Sequence, residues 1–418
     1  MRLYHSFFFM SVITSLTIHV SAQNVLSLKE TVQLTKKSNP DLKVVSYNMN
    51  AAQADITSAK IRPNLFFNTQ LLHIANANNR ADGTSWGNSV NTQYWWQVTK
   101  RFQLPTQRSS RIDLSKKTLI QSKLDYNEAS RNVYLDAANK WLDVWAAKVN
   151  LDILKKGKVN VDSLVEINLI RLKDQVITST DLLRTQLLQQ QYQRDIITAN
   201  QNYINELQRL KYMLGTSDSI SVDLADTTFN NIDLSSDSLV ELGSHLRTDI
   251  LSAKNRIDVS ASNIKLQRSF AYPQPEAGMI WNPQNKVSYL GFYGTVEIPL
   301  FNRNQGQREK AEVLKLKTEE NLRATERQAE TEVNTSYRNY VVQKESLKSF
   351  EKNLVQAETI LNNVRYSYLK GSTSIIDLLE AQRSWLDTQQ RYYGTMEYLR
   401  RSYVQLLYAT GIINQLAE

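Results

Sequence analysis

The segment Asp181-Leu182-Leu183-Arg184-Thr185-Gln186 returns 196 residues later as Asp377-Leu378-Leu379-Glu380-Ala381-Gln382. At the same offset, Leu210-Lys211-Tyr212-Met213-Leu214-Gly215 becomes Leu406-Leu407-Tyr408-Ala409-Thr410-Gly411, so both copies close a helix on a glycine C-cap. Self-similarity held in register over such a distance marks a duplicated architecture. Nearer the start of each copy the offset is about 208 to 211. There Ser27-Leu28-Lys29-Glu30 matches Ser238-Leu239-Val240-Glu241, two Ser-x-x-Glu patterns that read as capping boxes opening helices. Asp55-Ile56 and Pro63 likewise find Asn263-Ile264 and Pro273. The change of offset places an insertion in the first copy, the polar loop 76–92 between two strands.

The positions of the helix breakers say how each copy is filled. The chain has 418 residues with 12 Gly and 7 Pro, and no proline lies within 106–272 or 300–418. Proline-free tracts of this length favour long helices and disfavour a multi-domain globular enzyme, whose turns need Gly and Pro. A helix over about 106–172 would be roughly 100 Å long at 1.5 Å per residue. Its apolar positions Leu135, Ala138, Leu142, Trp145 and Val149 keep a 3,4 spacing, as do Leu347, Phe350, Leu354, Ala357, Leu361, Val364 and Tyr368 in the second copy, which is coiled-coil packing. A returning helix over 180–214 reaches about half as far. Helices over 41–62 and 249–269 have the length to cover the other half and run into the strands.

Two strands in each copy complete the pattern. In 93–104, Tyr94, Trp96, Val98, Phe102 and Leu104 alternate with Gln93, Gln97, Thr99, Arg101 and Gln103, with Trp95 and Lys100 as exceptions. In 287–300, Leu290, Phe292, Val296, Ile298 and Leu300 alternate with Tyr289, Gly291, Tyr293, Thr295 and Glu297. These strands end near Pro105 and Pro299, and their partners are expected at 64–75 and 275–282. Trp86, Trp95, Trp96, Trp281 and Tyr289 are candidate interfacial aromatics. Four strands cannot close a membrane barrel, so a barrel reading requires oligomerisation; a trimer would supply twelve strands and twelve helical tracks.

Residues 1–22 read as a secretory signal, with Arg2, an apolar run from Phe7 to Ile18, and Val20-Ser21-Ala22 before Gln23. Cysteine is absent, which excludes disulfides, thiolate metal sites and a lipidated N-terminal cysteine. The formal charge of +9 is spread along helical stretches without a nucleic-acid motif, so solvated helix faces account for it and no nucleic-acid partner is expected. His73 and His245 lie far apart, and Met49, Met213, Met279 and Met396 are scattered, so no metal-ligand spacing occurs. No G-x-S-x-G, phosphate-cradling Gly loop or HExxH is present, so neither an enzymatic activity nor a cofactor is expected.

Duplicated in this way, the chain resembles the TolC-type outer-membrane efflux proteins. The carriers are the Leu28-to-Pro40 opening followed by Asp41-Leu42, Gln53-Ala54 and Pro63, then Tyr368-Leu369-Lys370-Gly371 leading into Asp377-Leu378-Leu379-Glu380-Ala381-Gln382. Ile298-Pro299-Leu300-Phe301-Asn302-Arg303-Asn304-Gln305-Gly306, followed by Ala311-Glu312, is similar to the heavy-metal efflux branch of CzcC or CusC type. The resemblance implies a mixed, mainly α fold: duplicated coiled-coil hairpins forming a periplasmic α-barrel, with four strands per chain entering a trimeric 12-stranded outer-membrane β-barrel. It divides the chain into a signal peptide (1–22), a first repeat (23–215, tip 173–180), an inter-repeat equatorial segment (216–248) and a second repeat (249–418, tip 370–376). The implied function is an export duct set in outer-membrane lipid and working with a periplasmic membrane-fusion adaptor and an inner-membrane pump, of RND type or of ABC type.

The tips hold the candidate functional residues: Asp174 and Asp181 in the first copy, Lys370, Gly371 and Asp377 in the second. Repeated by symmetry, carboxylates there would ring a constriction and favour cations. Capping their helices is the main role expected of Asp181 and Asp377, with a contribution to gating beside it, and Gly371 is expected to end its helix. A soluble periplasmic coiled-coil scaffold or adaptor is the alternative reading of the whole chain. The first tip has Asp174-Gln175 where the second has Lys370-Gly371, so the two are chemically unequal.

Overall fold

The computed structural model describes residues 24–226, 228–229, 232–284 and 287–418; the expected signal segment lies outside them. In chain order the first copy comprises β1 (Asn24–Leu26), α1 (Leu28–Ser38), α2 (Pro40–Lys60), β2 (Leu65–His73), β3 (Thr92–Arg101), α3 (Pro105–Lys173) and α4 (Ser179–Leu214). After β4 (Ile220–Val222), the second comprises α5 (Ser236–Leu246), α6 (Thr248–Ser269), β5 (Glu276–Gln284), β6 (Val287–Thr295), α7 (Gln305–Leu369) and α8 (Ile375–Ala409). No described helix is long and apolar enough to cross a membrane.

The sequence explains why α3 runs unbroken for 69 residues. Pro105 occupies its first turn, where the missing N–H costs nothing. Half-buried pairs one turn apart, Lys148–Asp152 at 3.1 Å and Lys158–Asp162 at 2.6 Å, support its polar side. Its one glycine, Gly157, has a packing reason: a Cβ there would lie 2.4 Å from the Tyr192 ring of α4, which is buried against it. α3 packs against α4 toward the tip and against α2 and α6 toward the strands, so the half that α4 does not reach is covered as its length requires. α7 does the same with α8 and α6.

The equator joins the two copies. β1 and β4 pair in parallel, and the indole N–H groups of the fully buried Trp141 and Trp145 on α3 donate to Leu26 O at 2.8 Å and to Leu224 O at 3.3 Å. Leu28 N donates to Asp226 Oδ2 at 2.6 Å, and Lys36 Nζ reaches Ala417 O at 3.3 Å. The duplication is visible in atoms as well as sequence. Asn39 Nδ2 donates to Met213 O at 2.8 Å, and its counterpart Arg247 Nη1 donates to Ala409 O, the equivalent carbonyl, at 2.9 Å. Gly215 (φ 60°) and Gly411 (φ 77°) are left-handed, and a Cβ on either would strike the end of α1 or α5: 2.4 Å from Ser38 O in one case, 2.9 Å from Leu246 C in the other.

Two sequence expectations are corrected. Ser27 and Glu30 form the expected capping box, but α5 begins two residues before Ser238: its cap is Ser235, whose hydroxyl accepts Ser238 N at 3.2 Å. In a run of serines and an aspartate the earliest hydroxyl able to cap extends the helix, and Ser238 becomes an N3 residue. The strand expected over 287–300 stops at Thr295, because the apolar alternation of Val296, Ile298 and Leu300 continues where β5 offers no further partner.

The sheet faces and the helix tips

β2, β3, β5 and β6 form one antiparallel sheet in the order β2-β3-β5-β6, with the two copies meeting at β3–β5. Opposed residues share a face, so the register sorts the side chains. Leu65, Phe67 and Leu71 of β2 lie on one face with Tyr94, Trp96 and Val98, Met279 and Trp281, and Leu290 and Phe292. This face is apolar yet open, with Phe67 68%, Leu290 72% and Phe292 88% exposed. The opposite face is mostly polar, with Asn68 and Gln70, Gln93 and Gln97, Glu276 and Gln284, and Tyr289, Tyr293 and Thr295, interspersed with Phe66, Leu72, Trp95, Ile280 and Val287. An apolar face that large does not stay in water, and the outer edges of β2 and β6 have no strand partner among the described residues. The alternation matches a strand set with lipid on one side and an aqueous lumen on the other.

Two features stiffen this end. Trp96 and Trp281 pack with ring centroids 4.4 Å apart across the junction of the copies. Gly278 is obligatory, since a Cβ would lie 2.1 Å from Val98 O. The inserted loop is folded onto itself: the buried Asn91 donates to Thr84 Oγ1 at 2.7 Å and Ser85 O at 2.9 Å, and Trp86 stacks 4.0 Å from His73.

At the tips both aspartates at the helix starts are caps. Thr178 and Asp181 form a capping box, as do Ser374 and Asp377. Asp377 Oδ2 accepts Ser374 Oγ at 2.7 Å, Ser374 N at 3.1 Å and Thr373 Oγ1 at 2.8 Å, and these bonds, Ser374's first, hold its carboxyl below the usual carboxylate range. Asp181 also faces Arg184 at 3.7 Å. Asp174 is the C-cap of α3; its exposed carboxylate has no hydrogen bond or ion pair among the described residues. Lys370 is the C-cap of α7, its ammonium 5.6 Å from the Tyr366 ring, and Gly371 ends the helix with φ 79°. The five candidates therefore occupy the turns as placed by sequence, but Asp181 and Asp377 serve separate caps.

What ties the tips together are residues the sequence did not single out as a site. Arg171 Nη1 donates to Tyr368 O at 2.8 Å, with its guanidinium 4.6 Å from the Tyr368 ring. The Tyr368 hydroxyl donates to the buried Asn168 Oδ1 at 2.7 Å, and Asn168 Nδ2 reaches Thr185 Oγ1 at 3.4 Å. α3, α4 and α7 are thus linked within one tip cluster, backed by Leu164, Leu361, Leu378 and Trp385. The available signal was Asn168 itself, a polar residue on the buried side of a coiled-coil helix.

A second polar cluster lies at the equator. The buried Arg131 pairs with Glu128 at 2.8 Å and Asp249 at 3.3 Å; the buried Arg247 pairs with Asp249 at 2.6 Å and Glu332 at 2.8 Å. Burial pushes the Asp249 carboxyl up, but the hydrogen bond from Arg247 and the charges of Arg131 and Arg247 outweigh it and hold the group low. No described group of His, Asp or Glu side chains has the arrangement of a metal site.

A sheet apolar on one face and mostly polar on the other, continued by helices roughly 100 Å long, defines a subunit of a channel-forming outer-membrane protein. The chain belongs to the outer membrane efflux protein family, whose description matches residues 31–216 and 244–412, one segment for each copy. It is 22% identical over 327 residues to the outer membrane protein TolC of Vibrio cholerae, covering 74% of this chain and 75% of that one. Its fold is similar to that of CusC (TM-score 0.76, 16% identity, 92% of each chain covered). It is also similar to a membrane protein of Pseudomonas aeruginosa (TM-score 0.75, 17% identity, 94% and 91% covered) and to the outer membrane channel CmeC of Campylobacter jejuni (TM-score 0.74, 17% identity, 92% and 85% covered).

Proposed function

We propose that the protein is the passive outer-membrane duct of a tripartite efflux system. Three copies close their four-stranded sheets into one 12-stranded barrel and their hairpins into a 12-track helical cylinder through the periplasm. The observation that carries this reading is the open sheet with its exposed apolar face. Without any motif for using chemical energy, transport is driven by an inner-membrane pump, of RND type by preference over ABC, reached through a membrane-fusion adaptor that engages the tip helices. The similarity of Ile298–Gly306 to the CzcC/CusC branch favours metal ions as cargo, passed without a tight site. Asp174, Asp181, Lys370, Gly371 and Asp377 form the periplasmic aperture, where the unpaired Asp174 adds cation preference and the two caps set the shape of the turns.

Cell fractionation tests the duct reading. A heat-labile oligomer in the outer membrane that needs detergent for extraction supports it, while a detergent-independent periplasmic species supports the scaffold alternative instead. The double variant Asp174→Ala, Asp181→Ala tests the aperture: basal conductance rises and cation selectivity falls if the residues contribute, and both stay unchanged if they only cap helices.

A further inference from the structure

Beneath the outer, apolar face of the sheet, where the strands hand over to the helices, the first copy carries a groove of about 620 Å³. It lies between the α2–β2 link, the end of β3 and the first three turns of α3, and it gathers Arg62, Lys100, Arg101, Arg108 and Lys116 against a single carboxylate, Asp113. Arg101 faces Glu276 at 3.9 Å, and Asp113 accepts Ser262 Oγ at 2.7 Å. The other four cations have no carboxylate within ion-pair distance among the described residues. The Arg108 Nη2 donates to Lys60 O at 2.9 Å, yet its Nε is buried without a partner among the described residues. A buried guanidinium N–H left unpaired calls for an acceptor.

The position of the groove says what kind of acceptor. Lys100 lies opposite Leu65 on the face that carries Phe67 and Val98, so the cations begin where the apolar band ends. Phe102 and Ile112 supply an apolar wall to the same groove. A basic pocket at the foot of an apolar band, with an apolar wall running into it, has the chemistry of a site for an anionic lipid. The geometry points to a binding site for the phosphate headgroup of an anionic glycerophospholipid in the periplasmic leaflet, its acyl chains lying along the outer face of β2 and β3. The inference rests on the reading of that sheet as membrane-embedded.

The test uses the intact oligomer purified in detergent, exposed to phosphatidylglycerol or phosphatidylcholine and examined by native mass spectrometry. Phosphatidylglycerol is expected to be retained in preference to phosphatidylcholine, and inorganic phosphate at millimolar concentration is expected not to displace it. Each basic residue near an anionic surface contributes about fivefold, so the triple variant Lys100→Gln, Arg108→Gln, Lys116→Gln should lower retention roughly 100-fold. The Lys310→Gln control on α7 and an arginine replacement at Lys100 should retain it. Equal retention of the two lipids, unchanged retention in the triple variant as an intact oligomer, or displacement by inorganic phosphate would each overturn the lipid site. Those outcomes presuppose a detergent-dependent oligomer; a protein that leaves the membrane without detergent fails at the earlier step and takes the duct reading with it.

Discussion

At the equator the two copies solve one problem in the same way, and at the tips they solve one problem differently. Gly215 and Gly411 both take left-handed φ against the end of a preceding helix, and Asn39 and Arg247 both reach back to equivalent carbonyls. At the tips the same left-handed turn is made by Gln175 (φ 59°) in one copy and Gly371 (φ 79°) in the other. The equatorial turns are packed against backbone, so a side chain has nowhere to go; a Cβ at Gly371 would meet nothing within 4 Å. Packing, rather than the turn itself, is what holds the duplication fixed at one end and lets it drift at the other.

The largest effect should come from breaking the equator electrically. Arg247→Met leaves Glu332 without its buried partner and Asp249 with Arg131 alone, and should cost about 3–5 kcal/mol in urea unfolding followed by circular dichroism. The same pair sets an acid limit. Asp249 is depressed, so its contribution is present above the ordinary carboxylate range and is lost as pH falls through its lowered folded value; in Arg247→Met the loss should set in at higher pH.

Next comes the steric half of the comparison. Gly411→Ala and Gly215→Ala should each destabilise by roughly 2–4 kcal/mol, whereas Gly371→Ala should cost only about 1 kcal/mol, the left-handed penalty alone. Equal costs at Gly411 and Gly371 would mean that turn geometry, not packing, separates the two ends. Tyr368→Phe strands the buried Asn168 carbonyl and should weaken the tip by about 1–3 kcal/mol, read as faster amide exchange confined to the ends of α3, α4 and α7. Smallest, Gln175→Gly should stabilise the first tip by about 1 kcal/mol and make the two turns alike.

The helices, the duplication and the placing of the strands were legible in the sequence because Gly and Pro are confined to a few places and the apolar spacing is long and regular. Strand ends were less so: Val296, Ile298 and Leu300 keep the alternation of β6 after its hydrogen-bonded partner has ended. The cap of α5 was hidden by Ser235, Ser236 and Ser238, any of which could start a helix. The buried cluster of Arg131, Arg247 and Glu332 was out of reach, since its members lie on α3, at the α5–α6 junction and on α7, distant in sequence, and each alone looks like an ordinary surface charge. Gly157 has its reason in a side chain of another helix, the Tyr192 ring that a Cβ there would strike. At the tips the turn residues could be read, but the Arg171–Tyr368–Asn168 link depends on how two hairpins of separate copies meet.

Planar-bilayer recording of the detergent-purified oligomer tests the central account most directly. Discrete conductance steps, abolished when Phe292→Asp with Leu290→Asp places charge on the outer sheet face, are the predicted result. A protein that inserts and conducts equally well with that face charged, or one that never conducts and stays soluble without detergent, would contradict it.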